Sequence, residues 1–386
     1  MKPENKLLEI AKVFFKLGLF AFGGPAAHIA MMEEEVVNKR KWMSRQHFLD
    51  LIGATNLIPG PNSTEMTMHC GHERGGFKGL FIAGASFIFP AVITTGLLAF
   101  IYVEYGDMPN IKPFFFGIKP AVLAVIASAI FKLGKKAIKG TELAVLGVIV
   151  LVLSFMGINE IIVLLGVGIL GAFYFYAKHK VSTSSKSIIP FLFINLSLNG
   201  VAKLTTINVF LTFLKVGSIL YGSGYVLFAY LKVELVDTEW MTNQELLDAI
   251  AMGQFTPGPV LSTATFIGYQ LTGIWGALAA SLGIFLPSFL FVLILNPLIP
   301  KMKKSKFLRS FLDSVNVAAV GIMIAVLYTM TKETIFPKLI FEWRALVIAI
   351  LSGVLVFGFK KVNVMWTILG GAVLGYVLTL IVTIKV

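Results

Sequence analysis

The stretch Leu57-Ile58-Pro59-Gly60-Pro61 decides the fold because it occurs twice, returning 198 positions later as Phe255-Thr256-Pro257-Gly258-Pro259. The match extends outward in both directions. Trp42-Met43-Ser44-x-Gln46-x-x-Leu49-Asp50 is repeated at the same offset by Trp240-Met241-Thr242-x-Gln244-x-x-Leu247-Asp248. Upstream, Lys16-x-Gly18-x-x-x-Phe22-Gly23 pairs with Lys215-x-Gly217-x-x-x-Tyr221-Gly222 at an offset of 199. Downstream, Gly76-x-x-Gly79 and Pro90 pair with Gly273-x-x-Gly276 and Pro287 at 197. So constant an offset, with Gly, Pro and Trp matched, marks an internal duplication. The period is too long for a solenoid, and two copies of one membrane unit are the transporter pattern.

Composition places both copies in lipid. Of 386 residues 57% are apolar and 14% charged, against about 25% charged in a soluble domain. A disordered chain, a coiled coil and an ordinary soluble enzyme are excluded. Cys70 is the only cysteine, which excludes an intrachain disulfide and a Cys-based zinc site. Lys6–Phe22 carries Glu9, Lys12 and Lys16 with no small-residue cleavage pattern after it, so it reads as a retained segment. The runs 77–102, 113–131, 274–299, 307–328 and 364–384 are long enough to span a bilayer as helices. Shorter runs lie at 142–156, 161–176, 188–201 and 345–359. None alternates as barrel strands do.

The expected fold is therefore an all-α polytopic membrane protein of two inverted-topology repeats, each with Gly/Pro-broken hairpins followed by about four transmembrane helices. Residues 1–180 form the first module, 181–204 a linker with an extra transmembrane helix, and 205–386 the second module. The net charge of +13 is read by position. Lys132, Lys135, Lys136 and Lys139, then Lys178, Lys180 and Lys186, then Lys301, Lys303, Lys304, Lys306 and Arg309, and finally Lys360 and Lys361 mark cytoplasmic loops. The charge is a topology signal and does not call for nucleic acid. The N-terminus is expected in the cytoplasm. Span 77–102 then begins inside, and its partner 274–299 runs the other way, provided that 188–201 crosses once.

The first third of each copy is broken by Gly23-Gly24-Pro25 and Pro59-Gly60-Pro61, and by Gly222-Ser223-Gly224 and Pro257-Gly258-Pro259. Irregular backbone at membrane depth is tolerated only inside protein or beside a wet cavity. Each broken pair either crosses the membrane or forms a re-entrant hairpin. Hairpins are preferred because they leave Lys39, Arg40, Lys41 and Arg45 inside and Glu234, Asp237, Glu239 and Glu245 outside. A helix starts after each break and presents free amides worth roughly half a positive charge. Four such ends suit a tetrahedral dianion. The expected site takes in Gly23, Gly24, Ala26, His28, Gly60, Asn62, Ser63, Thr64, Gly222, Ser223, Gly224, Gly258, Ser262 and Thr263. Asn62-x-x-Glu65 also reads as a capping box, and the turns as packing devices.

The strings Phe22 to Val37 and Leu57 to Glu65, with Gly222-Ser223-Gly224-Tyr225 and Phe255 to Pro259, resemble the chromate transporter (CHR) family in its long two-module form. The resemblance implies a bacterial-type cell inner membrane protein that exports chromate, a sulfate analogue, using the proton motive force or anion exchange. An oxyanion channel and a sulfate uptake carrier stand as alternatives. Chromate or sulfate and the lipid bilayer are the expected partners, a homodimer is allowed, and no cofactor is called for.

Other residues have two readings each. Lys16, Lys215 and Lys119 lie in apolar helix, as anion ligands or as snorkelling cations. Glu33, Glu34, Glu35, Glu65, Asp50 and Asp248 are candidates to carry protons. The Glu triplet fans around a helix, so at least one member should be solvated or paired with Lys39 or Arg40. Asp50 and Asp248 also suit a hairpin-holding role, and Trp42 and Trp240 suit interfacial anchoring. His28 sits where protonation would couple to the anion. His69, Cys70, His72 and Glu73 look like a metal cluster, and an intramembrane metalloenzyme built on them is a rival class. The second copy has nothing similar, so no metal site is expected.

Overall fold

The computed structural model describes residues 6–21, 25–106, 108–109, 111–180, 203–221, 224–295, 302, 305–359 and 362–384. These hold fourteen α-helices and no strand. The first copy comprises α1 (Lys6–Phe20), α2 (Pro25–Met32) running on as a π-helical turn (Glu33–Lys39), α3 (Arg45–Thr55), α4 (Asn62–Tyr105), α5 (Lys112–Ala137), α6 (Thr141–Phe155) and α7 (Glu160–Lys180). The second repeats it with α8 (Thr206–Ile219), α9 (Leu227–Leu231) and its π-helical turn (Lys232–Val236), α10 (Asn243–Phe255), α11 (Thr263–Leu295), α12 (Lys306–Ile335), α13 (Trp343–Gly358) and α14 (Val364–Ile384). Six segments are long and apolar enough to cross a membrane: Asn62–Tyr105, Lys112–Ala137, Glu160–Lys178, Val260–Leu295, Lys306–Ile335 and Val364–Val382.

Two expected segments join in each copy. The helix after Pro59-Gly60-Pro61 continues into the span at 77 and turns sharply at Gly76, with φ 61° and ψ −150°. Gly273 does the same in α11, with φ 66° and ψ −152°. Only glycine adopts that backbone region without a large steric cost, so the matched glycines set the bend.

The first third of each copy is re-entrant. The α1 helix runs parallel to the outer part of α4: Leu7 and Ile10 lie against Gly75, and Gly18 lies against the Phe87 carbonyl. Phe87 is eleven residues past the bend, about 16 Å of helix, so α1 ends near mid-depth. The chain then returns to its starting level. The Trp42 indole donates to Glu9 at 3.1 Å, and Arg74 donates to the same carboxylate at 2.8 Å. The α3 helix climbs again to Gly60, and the first part of α4 descends to Glu73, which meets His47 at 3.1 Å. Two hairpins thus enter and leave by one side.

The repeats are inverted. As α4 rises past its bend, the part of α11 ahead of Gly273 rises beside it, with Phe266 against Tyr102, and the part after the bend comes back down to set Phe289 against Phe81, so the equivalent arms of α4 and α11 run antiparallel. Just ahead of α11, Ser262 accepts from Thr95 at 3.1 Å. The repeats also interlock: α5 packs against α13 and α14 of the second copy, while α12 packs against α6 and α7 of the first. Large apolar side chains such as Phe89, Leu97, Trp275 and Leu282 point outward, as lipid requires and water would penalise.

Lys139 pairs with Asp313 at 2.6 Å, and Lys178 pairs with Glu142, so the end of α5, the loop before α6 and the start of α12 share one basic end. The proposed crossing at 188–201 lies outside the described residues, as do Lys186, Lys301, Lys303, Lys304, Lys360 and Lys361.

Candidate functional site

The hairpin tips meet in the interior and are stitched crosswise. The Gly60 amide donates to the Leu220 carbonyl at 2.7 Å, and the Gly258 amide donates to the Ala21 carbonyl at 2.9 Å. Ala21 and Leu220 are equivalent positions at the ends of α1 and α8, so each Pro-Gly-Pro turn grips the first helix of the other copy. Gly60 has φ 137° and Gly258 has φ 87°, so neither turn tolerates a side chain cheaply. A Cβ on Gly60 would lie 2.3 Å from Glu65 Oε1 and 2.6 Å from Ser288 Oγ, and one on Gly258 would lie 2.8 Å from Ala91 Cβ.

Around the first turn the polar groups are buried and unsatisfied. Glu65 is fully buried, and neither carboxylate oxygen has a hydrogen-bond partner among the described residues. The same holds for Thr64 Oγ1, Ser288 Oγ and the Tyr221 hydroxyl. Glu65 Oε1 and Ser288 Oγ both crowd Gly60, and Tyr221 directly follows Leu220, whose carbonyl takes the Gly60 amide. Native interiors leave few polar groups unpaired, and here several converge. The capping box that would have occupied Glu65 does not form. Pro61 is the N-cap, without a side-chain acceptor, whereas a true box forms between Thr242 and Glu245 in the second copy.

The second turn is internally satisfied. Thr256 donates to the Gly253 carbonyl at 2.9 Å, Thr263 to the Val260 carbonyl at 2.7 Å, and Ser262 accepts from Thr95. Of the expected anion donors, Ser63 and Thr64 are buried beside the first turn, while Asn62 donates to Asn56 at 2.7 Å. Gly224 opens a 3₁₀ turn ahead of the short α9, as Val260–Ser262 does ahead of α11, and the five residues of α9 make its start the weakest of the four. Gly23, Gly24, Gly222 and Ser223 lie outside the described residues, as does the side chain of Ala26.

His28 is buried against Phe87 and its Nε2 lies 3.1 Å from the Ala21 carbonyl. A carbonyl only accepts, so Nε2 carries the hydrogen and Nδ1 offers a lone pair. His28 therefore braces the carbonyl that also takes the Gly258 amide, and donates to an anion only after gaining a second proton.

The structure sends the three lysines elsewhere. Lys215 pairs with Glu234 at 2.6 Å and Lys16 meets Glu35 at 3.9 Å. These are equivalent pairs, each joining a first helix to its π-helical turn, and neither lysine reaches the tips. Lys119 donates to Gln244 at 2.8 Å and meets Asp248 at 3.1 Å. The Glu triplet separates: Glu33 pairs with Arg45, Glu34 accepts from Asn38, and Glu35 binds Lys39 and Arg40. Asp50 lines an open cavity, and Asp248 is buried with Tyr102 donating to it at 2.6 Å. Among the described residues His69 is buried with both ring nitrogens unpartnered, Glu73 turns to His47, and no group of three metal-ligating side chains occurs. Tyr221, Ser288, Thr95 and Tyr102 escaped the sequence reading. Only Ser288 left a signal, as a hydroxyl directly after the matched Pro287.

The chromate transporter family model matches residues 8–172 and 207–376. A chromate transport protein of Cupriavidus metallidurans is 27% identical over 97% of this chain and 94% of its own length. An uncharacterized transporter of Methanocaldococcus jannaschii is 30% identical over 96% of this chain and 94% of its own. An uncharacterized transporter of Bacillus subtilis is 26% identical and matches 45% of this chain with 90% of its own length. No solved structure matches the chain.

Proposed function

Because the chain belongs to the chromate transporter family, we propose that it is a secondary active transporter of tetrahedral oxyanions that exports chromate, with sulfate as competitor, at the expense of the proton motive force. The observation that carries this reading is the pair of crosswise tip bonds around the buried, partnerless Glu65. The basic end faces the cytoplasm, as the positive-inside bias requires, and the N-terminus with it. The starts of α2, α4 and α11 supply amides to the anion.

Glu65 supplies the coupling. An ionised carboxylate about 4 Å from a dianion would oppose it by about 8 kcal/mol at an effective dielectric constant near 20. Protonated, the same group becomes a donor to the anion. Proton and anion therefore bind together, and a complex of one proton with one dianion carries a net charge of −1. Moving it out of an inside-negative cell draws on the electrical part of the proton motive force and gains about 2.3 kcal/mol per 100 mV, roughly a fifty-fold gradient, less the cost of carrying the proton out against any pH gradient.

Purified protein in liposomes should accumulate chromate or sulfate on the side made positive by a potassium diffusion potential, with a dependence on pH. Failure to move either dianion under any gradient overturns the reading. Single-channel currents without accumulation would favour a channel on the same scaffold. In this assay Lys16→Ala is expected to change flux by less than about twofold, since so exposed a pair is weak.

A further inference from the structure

The two copies have the same helices but not the same packing. In the second copy α10 is clamped against α4, α5, α11 and α14. Asp248 on α10 receives Lys119 of α5 and Tyr102 of α4 on one oxygen, at 3.1 and 2.6 Å. One turn away, Gln244 accepts from Lys119, and Asn243 donates to Glu333 at 2.7 Å. In the first copy the equivalent helix α3 is separated from α12 by a cavity of about 510 Å³. Asp50, Asn56, Asn62, Arg309 and Asn316 line it. Asp50 is the equivalent of Asp248, and Asn316 that of Lys119. Exposure follows the same split: Leu49 is 47% exposed, while its equivalent Leu247 is 0% exposed.

The cavity opens at the basic end and reaches Asn62, the first residue of α4, next to the tips. At about 30 Å³ per water it holds a hydrated oxyanion with room to spare. Arg309 is exposed there with no acidic partner among the described residues, whereas Lys139 is neutralised by Asp313. The closed cluster sits at the opposite end of α5. One chain therefore displays, in its two inverted copies, both states that a single hairpin arm can take.

We propose that the cavity between α3 and α12 is the open access route for the oxyanion, received by Arg309, Asn62 and Asn316, and that Asp248 with Lys119 and Tyr102 is the closed gate of the equivalent route at the other end. Transport exchanges the two: α10 swings off α5 as α3 closes on α12. This inference builds on the transport reading but is tested without substrate.

The test is cysteine accessibility in a Cys70→Ala background, since Cys70 is the only native thiol. Leu49→Cys should react readily with a membrane-impermeant maleimide and Leu247→Cys should not. Adding Asp248→Asn or, more gently, Tyr102→Phe should raise Leu247→Cys labelling at least about tenfold and lower that of Leu49→Cys. Variants are compared only when they elute as folded protein, and Tyr102→Phe alone decides if Asp248→Asn does not. Unchanged Leu247→Cys labelling, or a rise there without a fall at Leu49→Cys, overturns the exchange. Intact exchange in a protein that moves neither chromate nor sulfate would instead sink the transport reading and leave the gate standing.

Discussion

Replacing Glu65 by Gln is expected to abolish the pH dependence of oxyanion flux while leaving the protein at least as stable as the parent. The carboxylate is fully buried with no hydrogen-bond partner among the described residues, so the isosteric amide breaks no bond and removes only the cost of ionising an acid in a dry interior. The amide keeps the volume beside Gly60 and Ser288 and keeps a donor for the anion, but it cannot take up or release a proton. Glu65→Leu removes the donor as well. A hydrogen bond to a charged group is worth about 1.5–3 kcal/mol, so flux should fall by roughly ten- to a hundred-fold. Sulfate or chromate uptake into liposomes at imposed pH gradients reads both variants. Flux through Glu65→Gln that still follows the pH gradient would remove Glu65 from the coupling.

The second large effect is expected at the tips. Gly258→Ala puts a Cβ 2.8 Å from Ala91 Cβ and 3.2 Å from the Gly18 carbonyl, at a φ of +87°. Gly60→Ala is worse placed, because its φ is +137° and Glu65 Oε1 would stand 2.3 Å away. Backbone strain of this kind costs about 1–3 kcal/mol, and overpacking adds about 1–3 more. Relief requires the turn to withdraw, which breaks the amide bond to the first helix of the other copy. Both variants should melt at lower temperature in detergent and lose more than about nine-tenths of flux. Gly353→Ala is the matched control: it lies on α13 with nothing within 4 Å of an added Cβ. If Gly258→Ala behaves like Gly353→Ala, the crosswise bonds are dispensable.

Much of the fold was readable because its instructions are local. Proline and glycine break helices by their own covalent geometry, so the two Pro-Gly-Pro turns, and with them the duplication and the re-entrant hairpins, are visible as residues. Charge bias along the loops set the inversion that the antiparallel α4 and α11 display. The fate of a buried charge is a different problem. Lys16 and Lys215 look alike as anion ligands or as ion-pair partners, and what decides is the π-helical turn that brings Glu35 and Glu234 back to them. Lys119 meets Asp248 only because α5 packs on the other copy. Asn62-x-x-Glu65 fits a capping pattern, yet Pro61 takes the cap position, which frees Glu65. The unequal packing of α3 and α10 is hardest to see, since their sequences match where their environments do not.

The interlocking of the repeats has a consequence for how the chain is made. When translation has delivered only the first copy, α5 lacks α13 and α14, and α6 and α7 lack α12. The early half therefore waits in the bilayer with small-residue surfaces bare, Gly117 among them until Gly371 and Gly375 arrive. Assembly ends only when the last hairpin closes over a helix inserted more than two hundred residues earlier. Damage near the C-terminus should therefore be felt first in the N-terminal half, whose fifth helix takes most of its cover from the last two.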